Sequence, residues 1–463
     1  MKYAEKIAEF ATGFHFDRIP SQVVERAKLC TLDLLGVAIA ASKEPTVAAG
    51  LEYVRSFQGE SSSTIYVCGQ KSSPAHAALV NGIMGHCYDF DDFHRGMVAH
   101  PGVVVVPCAL ALAESHKSDG KSFLCAVILG YEIAIRVGMA GKPGMAQEKG
   151  FHPTGTAGVF GATVAAAKIM GLNQVQIADA LGIAGSQASG LFEFQADGSW
   201  TKRFNAGWAS HNGVVAASLA KTGFSGPHSV FEGVQGYFNA YLGKGNYDAA
   251  VLNKGLGEEF EILNCEYKLY PCCGYNSTPI DGTAELVRDY HIVSEEIEEI
   301  QVGVFKELLV TCAEPKEPKL RPLSRVDAQF SIYYSVASTI LRGRPSLDDF
   351  SDVSVKDKRV WDLASKVRVS VDPEIQDLYP RFYAARIRIK TKKRGEFEVV
   401  KKSSQGSPEL VRWQDIEDKF RKNCSRIYDQ RNTERILETV KSLDRKEHIA
   451  ELSSLMLENS LLS

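Results

Sequence analysis

The sequence predicts a mainly α-helical protein: a large all-helical domain, discontinuous along the chain, with a smaller α+β lid domain inserted into it. Three observations lead there. Apolar and small residues recur three and four apart through the first half of the chain. Strict apolar/polar alternation is confined to a later interval, in Ile300, Val302 and Val304, in Val367, Val369 and Val371, in Ile387 and Ile389, and in Phe397 and Val399. After Pro408 amphipathic spacing returns through Ile416, Phe420, Ile436, Val440 and Leu452. The boundaries expected from this are 1–262 and 405–463 for the helical domain and 263–404 for the insert, with Ser403, Ser404, Gly406, Ser407 and Pro408 as the return linker.

The elements follow in order. Ser21 is placed to cap a helix through Val23, Val24, Ala27, Leu32 and Leu35, and Ser73-Pro74 supplies a cap followed by proline at the first helical position. A further helix is expected from Thr154 to Met170. Its Gly155, Gly158 and Gly161, with Ala162 and Ala165, leave one face nearly bare, and each interior glycine costs about 1 kcal/mol against alanine. Such a face calls for a close neighbour, a second helix or a ligand. Within the insert, Asp327 to Leu341 has helical spacing.

The 463 residues are 44% apolar and 24% charged, the composition of a folded globular chain. With 53 Lys+Arg against 56 Asp+Glu, the formal net charge of -3 provides no general field for a nucleic-acid backbone or an anionic membrane, and neither partner is expected. The apolar stretch from Val103 to Ala113 is too short to span a bilayer. The N-terminal segment mixes acids and bases through its apolar positions, unlike a signal peptide. Ten cysteines without a ladder of spacings read as reduced thiols. The expected compartment is the cytoplasm, or a mitochondrion if the source is eukaryotic.

The chain contains no phosphate-loop, H-E-x-x-H, G-x-S-x-G or CxxC motif. What stands out is the run from His86 to His94, with Asp89, Asp91 and Asp92 between them, followed by His100-Pro101-Gly102. Five of the eleven histidines lie between His76 and His116. Such a cluster is a solvated acidic helix end, a divalent-metal site, or a set of carboxylates that orient imidazoles moving protons near neutral pH. His152 precedes the glycine-rich helix, Lys202-Arg203 offers two adjacent cations, and Lys268 precedes Tyr270-Pro271-Cys272-Cys273 at the entry to the insert. Singly each has a plain structural reading. Together they are the parts a polycarboxylate substrate needs: cations for its carboxylates and acid/base groups for a carbon-bound proton.

At VNGIMGHCYDFDDFH, HPGVVVVPCALALAE, GFHPTGTAGVFGATVAAAKIMGL, TKRFNAGWASHNGVVAASLAKTGF, YKLYPCCGY and DAQFSIYYSVA the chain resembles the MmgE/PrpD family, which includes 2-methylcitrate dehydratases, cis-aconitate decarboxylases and iminodisuccinate epimerases. The resemblance covers most of residues 30–340. It implies a discontinuous helical domain with an α+β lid, a homodimer, and an active site made of Asp89, His100, His152, Lys202, Lys268 and Tyr334 that needs no metal or other cofactor. Asp92, Arg203 and Cys273 stand beside these as substrate-binding candidates. Two departures mark this chain: Phe93 follows the acidic run where many relatives have threonine, and Cys272-Cys273 stand where decarboxylases resemble F-P-A-H-x.

The function expected is therefore a cofactor-independent lyase, a dehydratase or decarboxylase, acting on a small di- or tricarboxylate such as 2-methylcitrate or cis-aconitate. An epimerase of a dicarboxylate such as iminodisuccinate is the alternative within the same chemistry. A non-catalytic carboxylate-binding protein is the alternative outside it.

Overall fold

The computed structural model describes residues 1–57, 59 and 61–457. It is mainly helical, with small sheets, and divides into two compact units. The first comprises residues 1–267 and 412–463, and the second residues 268–411.

The first unit is built around three nearly apolar helices, Gly102–Ser115, Gly120–Met139 and Gly158–Ile169. Asp119 caps the second by accepting from the Ser122 amide at 2.7 Å, and Ser73 caps Pro74–Gly85 with proline at its first position. The helix expected from Thr154 to Met170 is in two pieces, Pro153–Thr156 and Gly158–Ile169. They meet at Ala157, between glycines that weaken the helix there. The bare face meets a neighbouring helix: a Cβ on Gly161 would lie 2.4 Å from the Gly130 carbonyl oxygen and 2.6 Å from Ala134 Cβ.

Among the described residues one helix, Gly120–Met139, is long and apolar enough to cross a membrane, and most of it is buried inside the protein. Glu132 and Arg136 interrupt its apolar sequence. These two form a buried pair at 2.6 Å, and Arg136 also donates to the carbonyls of Val251 and Glu259. They tie the helix to the segment that precedes the second unit, as a core helix would be tied.

Among the described residues, four short strands belong to this unit. β1 (Ser63–Ile65) pairs with β2 (Gln70–Ser72), and β3 (Phe93–His94) with β4 (Cys265–Glu266), both antiparallel. The β3–β4 ladder pins the acidic run of residues 89–92 at its C-terminal end. Its other anchor comes from the returning chain. Helix Trp413–Cys424 places Lys419 Nζ 2.6 Å from Asp33 Oδ1 on helix Ser21–Ala41, 2.6 Å from the Phe90 carbonyl and over the Phe90 ring.

The second unit carries a four-stranded sheet of β5 (Ile297–Val304), β6 (Val367–Val371), β7 (Ala385–Thr391) and β8 (Gly395–Lys401), in the order β6-β5-β7-β8. β5 and β6 run parallel, and the other pairs are antiparallel. Register aligns Val302 with Val369 on one side and Ile387 on the other, so the alternating apolar positions of three strands fall in one row. Ile300, Val302 and Val304 of β5 are buried. Helices Ser277–Tyr290 and Ile332–Arg342 belong to the same unit.

Candidate active site

The site in the first unit grows from the end of helix Pro74–Gly85. His86 closes that helix, and three residues later Asp89 takes φ +51°, a left-handed conformation that few side chains tolerate but that aspartate adopts more readily. The turn separates the carboxylates. Asp89 Oδ1 lies 2.7 Å from Lys202 Nζ and 3.6 Å from His100 Nε2. Asp91, fully buried, lies between two imidazoles: its oxygens are 2.9 and 3.1 Å from His86 Nδ1, and 3.1 Å from His100 Nδ1.

Lys202 is the second residue of helix Thr201–Lys221, at the end where the backbone dipole disfavours a cation, so the Asp89 carboxylate compensates for its placement. His100 is held on both sides. Its backbone amide donates to Thr154 Oγ1 at 3.3 Å, and its Nδ1 also lies 3.0 Å from the Asp92 carbonyl. The first of these bonds ties the His100 segment to the start of the Pro153–Thr156 helix, whose N-cap is His152. His152 is buried, stacks on His86 with centroids 6.0 Å apart, and is flanked by Phe192 and Phe194. Asn205 Nδ2 lies 3.2 Å from its Nδ1.

Burial pushes His86 down to about 4 and holds His152 well below its ordinary range, with His86, Lys202 and His100 adding to the effect on His152. Both rings are neutral near pH 7. Burial also works against ionised Asp91, but the His86 and His100 imidazoles outweigh it and hold the carboxyl far below the usual range. The site at rest therefore carries a fixed Asp91 anion and an Asp89–Lys202 ion pair beside the uncharged rings of His86 and His152.

His86, Asp89, Asp91 and His100 bring one donor atom each to within 4.8 Å of one another, an oxygen and nitrogen set suited in type to a divalent ion. Two existing partners compete for those atoms. Lys202 already supplies positive charge to Asp89, and the Nδ1 positions of His86 and His100 already lie against Asp91. An ion would have to displace both arrangements.

Among the residues singled out from sequence, Asp89, His100, His152 and Lys202 come together in the first unit. Asp92 does not join them as a substrate contact. It is fully buried, with its carboxyl pushed well above the usual range by burial and then by the acidic groups around it. A Cβ on Gly102 would lie 2.2 Å from both its Oδ1 and the Tyr131 hydroxyl, so glycine is what admits this packing. Arg203 turns away to a structural duty: its Nε donates to the Cys87 carbonyl at 2.9 Å and supports the turn before Asp89.

Lys268, Cys273 and Tyr334 lie in the second unit. Lys268 is buried at its first position, and Cys273 is half-buried with its amide donating to the Gln329 carbonyl. The Tyr334 hydroxyl lies against the carbonyls of Asp349 and Ser354 and near Arg342, and burial pushes it up to about 12. Its oxygen is thus engaged within its own unit.

Sequence reasoning named His86 and Asp91 only as members of the histidine and acid cluster, and gave no role to Asn205. Asn205, three residues after Lys202, carries no signal of its own, because its partners His152 and Leu191 reach it only through the fold.

Residues 5–250 match the family model described as the MmgE/PrpD N-terminal domain, and residues 270–445 match the MmgE/PrpD C-terminal domain. A cis-aconitate decarboxylase of Aspergillus terreus is 28% identical over 469 residues, covering 97% of this chain and 95% of that protein. The human cis-aconitate decarboxylase is 27% identical, covering 96% and 93%. The 2-methylcitrate dehydratase of Escherichia coli strain K12 is 26% identical over 302 residues, covering 61% of this chain and 59% of that protein.

Proposed function

Because the chain belongs to the MmgE/PrpD family, we propose that it is a cofactor-independent lyase acting on a small tricarboxylate of the cis-aconitate or 2-methylcitrate type, by proton transfer at a carbon next to a carboxylate. The names of relatives aligned over nearly their whole length support the substrate class. The observation that carries the mechanism is the Asp89–Lys202 pair beside two imidazoles, His100 and His152, in one largely buried cluster.

Lys202 is the cation that a substrate carboxylate would meet, and in a water-poor site its charge also stabilises negative charge spreading onto that carboxylate in the transition state. In a decarboxylation, the bond to the departing CO2 breaks and its electron pair passes into the alkene conjugated with a remaining carboxylate. An imidazole then delivers a proton to carbon. In a dehydration, an imidazole takes the proton from carbon, the electron pair forms the alkene, and a second acid protonates the leaving hydroxyl.

A second reading, epimerisation of a dicarboxylate such as iminodisuccinate, is favoured by the presence of two imidazoles in one site, since removal and return of a proton on opposite faces needs two groups. One experiment covers these outcomes. The enzyme is incubated in D2O with 2-methylcitrate, citrate, cis-aconitate and iminodisuccinate and followed by NMR. Loss of CO2 or of water supports the lyase, and inversion with deuterium uptake supports the epimerase. No change with any of the four would remove the proposal.

A further inference from the structure

The hydrogen-bond partners of the two imidazoles differ in kind. His100 Nδ1 lies 3.1 Å from Asp91 Oδ2 and 3.0 Å from the Asp92 carbonyl, and both of these can only accept. The other ring nitrogen, Nε2, has among the described residues only Asp89 Oδ1 at 3.6 Å, beyond hydrogen-bond distance and already paired with Lys202, so the proton of the neutral ring sits on Nδ1 and leaves a lone pair on Nε2. His152 has the reverse environment. Its Nδ1 faces Asn205 Nδ2, and the orientation of that amide is set independently, because the same nitrogen lies 3.2 Å from the Leu191 carbonyl, which can only accept. An amide nitrogen only donates, so His152 Nδ1 accepts and the ring proton sits on Nε2.

We infer that Asp91 and Asn205 lock the two imidazoles in opposite tautomers, so that His100 presents an Nε2 lone pair able to take a proton and His152 presents an Nε2–H able to donate a hydrogen bond to charge developing on the substrate. Asp91 and Asn205 are thus positioning residues, acting through the rings they hold. His86 reinforces the first lock. Its Nδ1 donates to Asp91 from the other side, and its own Nε2, buried and without a partner among the described residues, makes no competing demand on the carboxylate. A site set in this way can remove a proton and stabilise the charge left behind without first rearranging either ring. The assignment of base and hydrogen-bond donor rests on the lyase reading, whereas the assignment of tautomers does not.

The test separates the two. Nitrogen-15 correlation spectra of enzyme labelled at histidine, with signals assigned through His100→Gln and His152→Gln, read each ring without any substrate. The expected result is a protonated Nδ1 in His100 and a protonated Nε2 in His152. The same tautomer in both rings would overturn the inference, whatever the enzyme turns over. Asn205→Asp then places an acceptor against His152 Nδ1 and should move its proton there. If the His152 Nε2–H stabilises the transition state, kcat on the substrate identified above should fall about 10²-fold or more while KM changes little. A spectrum that shows the flipped tautomer with kcat unchanged would leave the lock but remove its catalytic meaning. If the parent turns over none of the four acids, the lyase reading fails, and the spectra still decide the tautomers.

Discussion

In the first unit Lys419 meets Asp33 at 2.6 Å with the two side chains 5% and 0% exposed, whereas in the second Lys390 meets Glu298 at 2.9 Å with both 51% exposed. The distances are alike and the consequences are not. A pair withdrawn from water is held by partners that must all be present, since either charge left alone has no solvent to turn to. A pair standing in water loses little when one member goes. The first unit concentrates pairs of the former kind around residues 86–100, where charge and proton position matter. The second places Arg386, Arg388 and Lys390 along the outer face of its sheet, where they serve the surface.

The largest effect that would test this contrast is on stability. Lys419→Met keeps the stem and removes the charge, leaving Asp33 buried and uncompensated, at a cost of about 3–5 kcal/mol in urea denaturation at pH 7. Burial, working against Lys419, already pushes Asp33 up to about 6 in the parent, and loss of the cation that opposes burial raises it further, so on acidification the carboxyl binds a proton and the deficit should shrink. A midpoint matching the parent's at pH 7 would dissolve the contrast.

Next comes an effect on rate. Lys202→Met should reduce kcat/KM by about 2–4 kcal/mol of transition-state stabilisation, with the fall in kcat showing that the contact strengthens during reaction. The substrate assay with the purified, folded variant measures this. Turnover within about twofold of the parent would make Lys202 only the counter-ion of Asp89. The smallest effect is expected in the other unit: Lys390→Ala should leave the urea midpoint unresolved from the parent's. A clear loss there would mean that the sheet's outer charges work as a linked network.

How far each region could be read in advance follows from the same difference. Sheet periodicity is local, and Ile300, Val302 and Val304 announced β5 because their side chains alternate between faces whatever lies elsewhere in the chain. Ser73-Pro74 announced a helix start for the same reason. The break at Ala157 was not legible, since a helix reading joins residues that only their neighbours in space divide. In the site, Asp89, His100, His152 and Lys202 were legible as chemically complementary types and through the family resemblance. The different surroundings of Asp91 and Asp92 were not legible because two adjacent carboxylates look identical in sequence, while in the fold Asp91 faces two imidazoles and Asp92 faces Tyr131. Asn205 was invisible because a tautomer is set by the carbonyl on the far side of the amide, 14 residues away in the chain.

The latch made by Lys419 also orders events in time. Its partner Asp33 precedes it by 386 positions and the Phe90 carbonyl by 329, so a nascent chain emits the segment bearing Asp89 and Asp91 long before the cation that anchors it. Ribosome-bound chains halted before residue 419 should accordingly leave residues 86–100 open to proteolysis, and chains carried past the helix Trp413–Cys424 should protect them. The whole second unit is synthesised in that interval, so the loop carrying Asp89 and Asp91 gains this anchor only after translation has passed through a complete intervening body.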